Sequence, residues 1–164
     1  MARIYISIGS NIQREHYVRA GVKALQQHFA AVQLSSVYES EAVGFSGDAF
    51  YNMVAAADTD LTIEQCLALL KQIEHQFGRV RGSEKFCGRT LDLDLLTYDN
   101  VICDEPVILP RPEITENAFV LWPLAELAAD EVHPTSGQSY ASLWQSYDKK
   151  QKIWPVPFSW GDTQ

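Results

Sequence analysis

The chain has 164 residues, of which 46% are apolar, and a formal net charge of −8, so it can bury a sizeable core in one domain but offers no general surface for nucleic acid or anionic membrane. Three cysteines, Cys66, Cys87 and Cys103, give neither a CxxC pair nor an even disulfide set, which points to a reducing cytoplasm. No apolar run approaches the roughly 18 residues of a membrane span, and the N-terminus has no signal-peptide pattern.

Ile4, Ile6 and Ile8 alternate with Tyr5 and Ser7 and stop at "GSN", which predicts a strand and a tight turn. Val18, Val22, Leu25 and Phe29 recur at spacings of three and four, the apolar face of a helix over about 14–29. "VQLSSVYES" reads as one second strand, and "FYNMVAAAD" as a third after a loop containing Gly44 and Gly47. "TIEQ" at Thr62–Gln65 has capping-box spacing. It opens a helix with Ile63, Leu67, Leu70, Ile73 and Phe77 on one face and Gly78 as its stop.

A glycine-spaced loop, "GRVRGSEKFCGR", leads into the strand "LDLDLL" and a hairpin turn at "YDN". "VILPRPEI" is extended by its prolines, and "AFVLWPLAELA" and "YASLWQSY" are short helical segments. "KIWPVPFSW" holds too much proline for a helix, so its aromatics are expected on the sheet edge. Returning strands and one-faced helices predict an α+β sheet with helices on its faces, in one domain spanning 1–164.

In "RTLDLDLLTYDN" the leucines at 91, 93 and 95 face one side of the strand and Asp92 and Asp94 the other, about 7 Å apart along the backbone. Two like charges on one face repel unless a cation neutralises them. Paired oxygen ligands suit Mg²⁺, which takes one or two carboxylates and completes its shell with water and phosphate oxygens. The bland alternative is a solvated acidic face. Against it stand Arg79, Arg81, Lys85 and Arg89, four of the 13 Lys and Arg of the chain placed just before the pair. Arginine grips phosphate through its planar fork. A carboxylate pair preceded by an arginine-bearing loop hinged at Gly78, Gly82 and Gly88 suits phosphoryl chemistry. There is no P-loop and no GxGxxG turn, and the four histidines show no metal spacing.

"GRVRGSEKFCGRTLDLDLL", with "YISIGSN", "FYNMVAAA" and "AFVLWPLAELA", resembles hydroxymethyl-dihydropterin pyrophosphokinase, or HPPK, from about Ile4 to Pro134. The resemblance implies a three-layer α-β-α sandwich with a ferredoxin-like core and a mainly antiparallel sheet, acting as a monomer. It also implies transfer of pyrophosphate from ATP to the hydroxymethyl group of a reduced pterin, with release of AMP. By motif match, Asp92 and Asp94 hold two Mg²⁺ ions, and Arg79 and Arg89 stabilise phosphate charge. Phe50 and Phe119 sandwich the pterin, Asn52 bonds its edge, and Ser40, Ala42 and Val43 complete the contacts through their backbone. Lys71, Glu74 and Arg111 lie toward the nucleotide. ATP and the reduced pterin are the implied partners.

The chain departs from the family pattern at several places. Phe86 replaces a tryptophan, Arg111 a histidine after Pro110, Asn117 an arginine, and Glu41-Ala42 a double proline, while the tail from about residue 149 is atypical. These departures leave two other readings open: a divergent paralogue with altered phosphotransfer, and a non-catalytic pterin- or nucleotide-binding protein.

Overall fold

A computed structural model describes residues 1–40, 49–78, 90–148 and 152–158. The alternating isoleucines build the central strand, β1 (Ala2–Ser10), in which Ile4, Ile6 and Ile8 are almost wholly buried on one face. Each such side chain contributes about 1.5–3 kcal/mol relative to exposure. β1 pairs antiparallel with β4 (Phe50–Thr59) on one side and with β5 (Asp92–Tyr98) on the other. β4 pairs in turn with β2 (Ala30–Leu34) and β3 (Val37–Ser40), and β6 (Ile153–Val156) closes the sheet against β3. The order is β5-β1-β4-β3-β6 with β2 beside β4.

Helices α1 (Arg14–His28) and α2 (Ile63–Gln76) cover one face, where Val18, Leu25, Leu70 and Ile73 pack on the β1 isoleucines. After the four-residue α3 (Glu113–Glu116), α4 (Ala118–Leu127) and α5 (Tyr140–Ser146) cover the other, where Leu121, Leu124 and Tyr140 meet Tyr5, Val54 and Leu96. This is the expected three-layer α+β sandwich on a ferredoxin-like core. The capping box forms as its spacing predicts: Thr62 accepts the Gln65 N–H, and the Gln65 side chain accepts the Thr62 N–H. Gly78, at φ 94°, lies just past the helix end.

Two expectations need correction. "VQLSSVYES" is two strands, because Ser35 interrupts it: its hydroxyl accepts the Val54 N–H and donates to the Ser36 carbonyl, a side-chain competitor for ladder bonds. "YDN" does form a turn, with Asp99 at φ 50°, but no hairpin follows it. The prolines at 106, 110 and 112 lack ladder donors. The outer edge of β5 is met instead by the Arg111 N–H, which donates to the Leu96 carbonyl. The described part of the tail packs on the sheet edge as expected, with Pro155 of β6 opposite Tyr38.

Candidate active site

The leucines of β5 fix where its acids go. Leu93 and Leu95 are buried on the α1–α2 side, so Asp92 and Asp94 emerge half-buried on the α4 side. There they line a cavity of about 340 Å³ together with Ser40, Phe50, Asn52 and Phe119. The register explains how residues so distant in sequence meet. Gly9 of β1 lies opposite Asn52 of β4 and opposite Asp92 of β5. Amide and carboxylate therefore stand on one face two strand spacings apart, about 10 Å.

Gly9 keeps the floor between them open. A Cβ there would lie 3.3 Å from the Asn52 Oδ1 and 3.9 Å from the Phe50 ring. Asn52 is itself held, its Nδ2–H donating to the Ser40 hydroxyl at 2.8 Å, with both residues buried. That bond leaves the amide oxygen toward Gly9 and the cavity. Phe50, from β4, and Phe119, from the first turn of α4, bring aromatic rings to the same cavity.

Arg111 stands beside the acidic pair. Its Nη2 is 3.8 Å from Asp94, its Nη1 is 3.8 Å from Glu113, and its Nε–H donates to the Leu95 carbonyl at 3.0 Å. Glu113 and Asn117 also line the cavity. Nothing in the sequence marks Glu113, because a lone acid after a proline carries no pattern. Among the described residues, no three His, Cys, Asp or Glu side chains gather as a metal-ligand set. Among the described residues, a cation at the acidic pair would find the carboxylates of Asp92 and Asp94, with room for solvent or substrate oxygens in the cavity. That donor set fits Mg²⁺.

Two of the other sequence-derived candidates sit elsewhere. Lys71 and Glu74 are on α2 and do not line this cavity. Lys71 is exposed, whereas Glu74 is buried and accepts the Leu93 N–H at 2.7 Å, tying α2 to β5. Ala42, Val43, Arg79 and Arg89 lie outside the described residues, as do Glu41 and Phe86.

A carboxylate pair and two aromatic rings around one small cavity, on an antiparallel α+β sheet, define a candidate small-molecule phosphotransferase. Residues 5–129 match the family model described as 7,8-dihydro-6-hydroxymethylpterin-pyrophosphokinase (HPPK). A 2-amino-4-hydroxy-6-hydroxymethyldihydropteridine pyrophosphokinase of Bacillus subtilis is 40% identical over 141 residues, covering 82% of this chain and 84% of that protein. The folic acid synthesis protein fol1 of Pneumocystis carinii is 36% identical over 146 residues, which are 87% of this chain but only 20% of that protein. A crystal structure of Plasmodium falciparum HPPK-DHPS has a like fold, with a TM-score of 0.68 at 10% identity, over 88% of this chain and 43% of that one. The chain belongs to the HPPK family.

Proposed function

We propose that the cavity between β1, β4, β5 and α4 is the active site in which this chain carries out the reaction of its family. The chain is a pyrophosphokinase of folate biosynthesis: it transfers a pyrophosphoryl group from ATP to the hydroxymethyl group of a dihydropterin. One observation supports the location above others, namely that the cavity brings the β5 carboxylates and the rings of Phe50 and Phe119 together.

In this reading the flat pterin lies between Phe50 and Phe119, and Asn52, Ser40 and the backbone of Ala42 and Val43 meet its polar rim. Asp92 and Asp94 hold two Mg²⁺ ions. When bound, these supply neutralisation of the triphosphate and acidify the attacking hydroxyl. The hydroxymethyl oxygen gives up its proton to solvent and forms a bond to the β-phosphorus of ATP, the bond from that phosphorus to the α-phosphate oxygen breaks, and AMP leaves with that oxygen. Arg79, Arg89 and Arg111 stabilise the charge on the phosphates. The assignment of Lys71 and Glu74 to the nucleotide rests on family resemblance alone. The working form in this reading is a monomer in the cytoplasm, as the family resemblance and the unpaired cysteine count suggest.

Purified protein with ATP, Mg²⁺ and the hydroxymethyl dihydropterin should form AMP and pyrophosphorylated pterin in equal amounts. Asp92→Asn or Asp94→Asn should lower that rate by more than about a hundredfold. Absence of AMP above background at high enzyme concentration would refute the activity. An undiminished rate in both variants would refute the site.

A further inference from the structure

Behind the cavity, on the α1 side of the sheet, one junction joins four segments of the chain. Glu39 points away from the cavity beside Ser40, which faces it. The Glu39 Oε2 lies 2.7 Å from the Arg14 Nη2, and its Oε1 accepts the Trp154 indole N–H at 3.0 Å. The same guanidinium donates through Nη1 to the Ala49 carbonyl at 2.8 Å and lies 4.0 Å above the Tyr51 ring. Arg14 and Glu39 are only 28% and 20% exposed. One cation therefore ties the end of β3 to the start of β4, and Glu39 extends the tie to β6.

β6 continues this arrangement through its backbone, with Ile153 opposite Ser40 and Trp154 opposite Glu39. Among the described residues, β3, four residues long, would be the free edge of the sheet at this end without β6. Short edge strands open at low free-energy cost. Ser40, the last described residue of β3, lies opposite Phe50 and anchors the Asn52 amide. β6 lies beyond residues 5–129, the part of the chain that matches the family model.

We propose that Trp154, Glu39 and Arg14 are positioning residues for the acceptor half of the site: β6 braces β3 from behind and fixes Ser40, Asn52 and Phe50 relative to one another without touching the substrate. This rests on the reading that those three residues receive the pterin. A rim that must present donors and acceptors at set places loses affinity when one wall shifts. Charge-assisted bonds such as those of Glu39 are the stronger kind of tether.

The test uses the full chain and separate titrations with dihydropterin and with a nonhydrolysable ATP analogue, alongside steady-state kinetics. Trp154→Phe keeps the ring and removes the N–H; Glu39→Gln keeps the shape and removes the charge. Each should raise the pterin Kd and KM by about three- to tenfold, the range of one lost hydrogen bond. The ATP-analogue Kd should stay within about twofold, and the melting temperature should fall by only a few degrees. The double variant should fall short of the product of the singles, because both break one junction. Phe50→Ala is the control for the site itself. If it weakens pterin binding while Trp154→Phe and Glu39→Gln do not, the brace is refuted and the site stands. If it leaves pterin binding intact, the site reading fails and the brace falls with it. Equal weakening of pterin and nucleotide binding would mark a general structural role and also overturn the proposal.

Discussion

The Arg111 guanidinium faces Asp94 at 3.8 Å while its Nε–H is tied to the carbonyl of Leu95, the next residue along β5. The cation is thus fixed to the strand that carries the acid it neutralises. Asp94 is 49% exposed, so the ion pair itself is worth only about 0–1 kcal/mol. The bond to the strand edge contributes more, since Leu95 would otherwise leave a carbonyl at the margin of the sheet. Arg111→Met should therefore destabilise the metal-free protein by about 1–2 kcal/mol. Mg²⁺ should restore more stability to the variant than to the parent, because the carboxylate pair has then lost the positive charge of Arg111. Urea midpoints with and without Mg²⁺ measure both effects, and equal midpoints for parent and variant would contradict them.

Much of this arrangement could be read from residue order. The period-two pattern of β1 and β5 and the capping box at Thr62 named their elements because local chemistry decided them. The acidic pair was visible because leucines at 91, 93 and 95 leave only one face for Asp92 and Asp94. The pairing of Gly9 with both Asn52 and Asp92 was not, because register between strands some forty and some eighty residues apart in sequence depends on the whole sheet. Ser35 and Ser36 look like ordinary strand residues until Val54 and Glu126 supply their partners. Glu74 shows the same limit. Helical spacing placed it on α2, but only the fold shows its carboxylate holding the Leu93 N–H.

Gly9 gives a prediction specific to the acceptor. A methyl group there would press on the Asn52 Oδ1 at 3.3 Å and touch the Phe50 ring at 3.9 Å. It would occupy the floor of the cavity and turn the amide away from it. Gly9→Ala should raise the pterin KM by about tenfold, the scale of one displaced hydrogen-bonding group, and leave the ATP KM nearly unchanged. Parallel saturation curves for the two substrates check it, and an equal change in both would contradict it.

Glu74 allows a structural role to be separated from a nucleotide role. Its buried carboxylate accepts the N–H of Leu93, between the two site acids. Glu74→Ala leaves that donor without its acceptor and should cost about 1–3 kcal/mol. Glu74→Gln retains an acceptor oxygen and should recover most of the loss. If the residue only supports β5, the ATP KM of the Gln variant should match that of the parent at a temperature where both are folded. A raised ATP KM with unaltered stability would assign Glu74 to the nucleotide instead.

The last prediction concerns pH. His133 is buried, its Nδ1 accepts the Ser136 N–H at 3.0 Å, and its ring stands edge-on to Tyr140; His16, His28 and His75 are exposed. Burial lowers the His133 pKa below its ordinary 6.5, and protonation of Nδ1 would also forfeit the bond from Ser136. The unfolded chain therefore binds this proton more readily than the folded one. Well above pH 6.5 the group is neutral in both states and stability is independent of it. As pH falls below that value, the unfolded state is favoured progressively, by at most about 1.4 kcal/mol per pH unit, until the folded pKa is passed. Urea midpoints from pH 7.5 down to 5.5, above the range of ordinary carboxylates, should decline accordingly. His133→Asn offers an amide oxygen to the Ser136 N–H without a titrating group, so the same series should be flatter in that variant. An equally steep decline would place the titration on another residue.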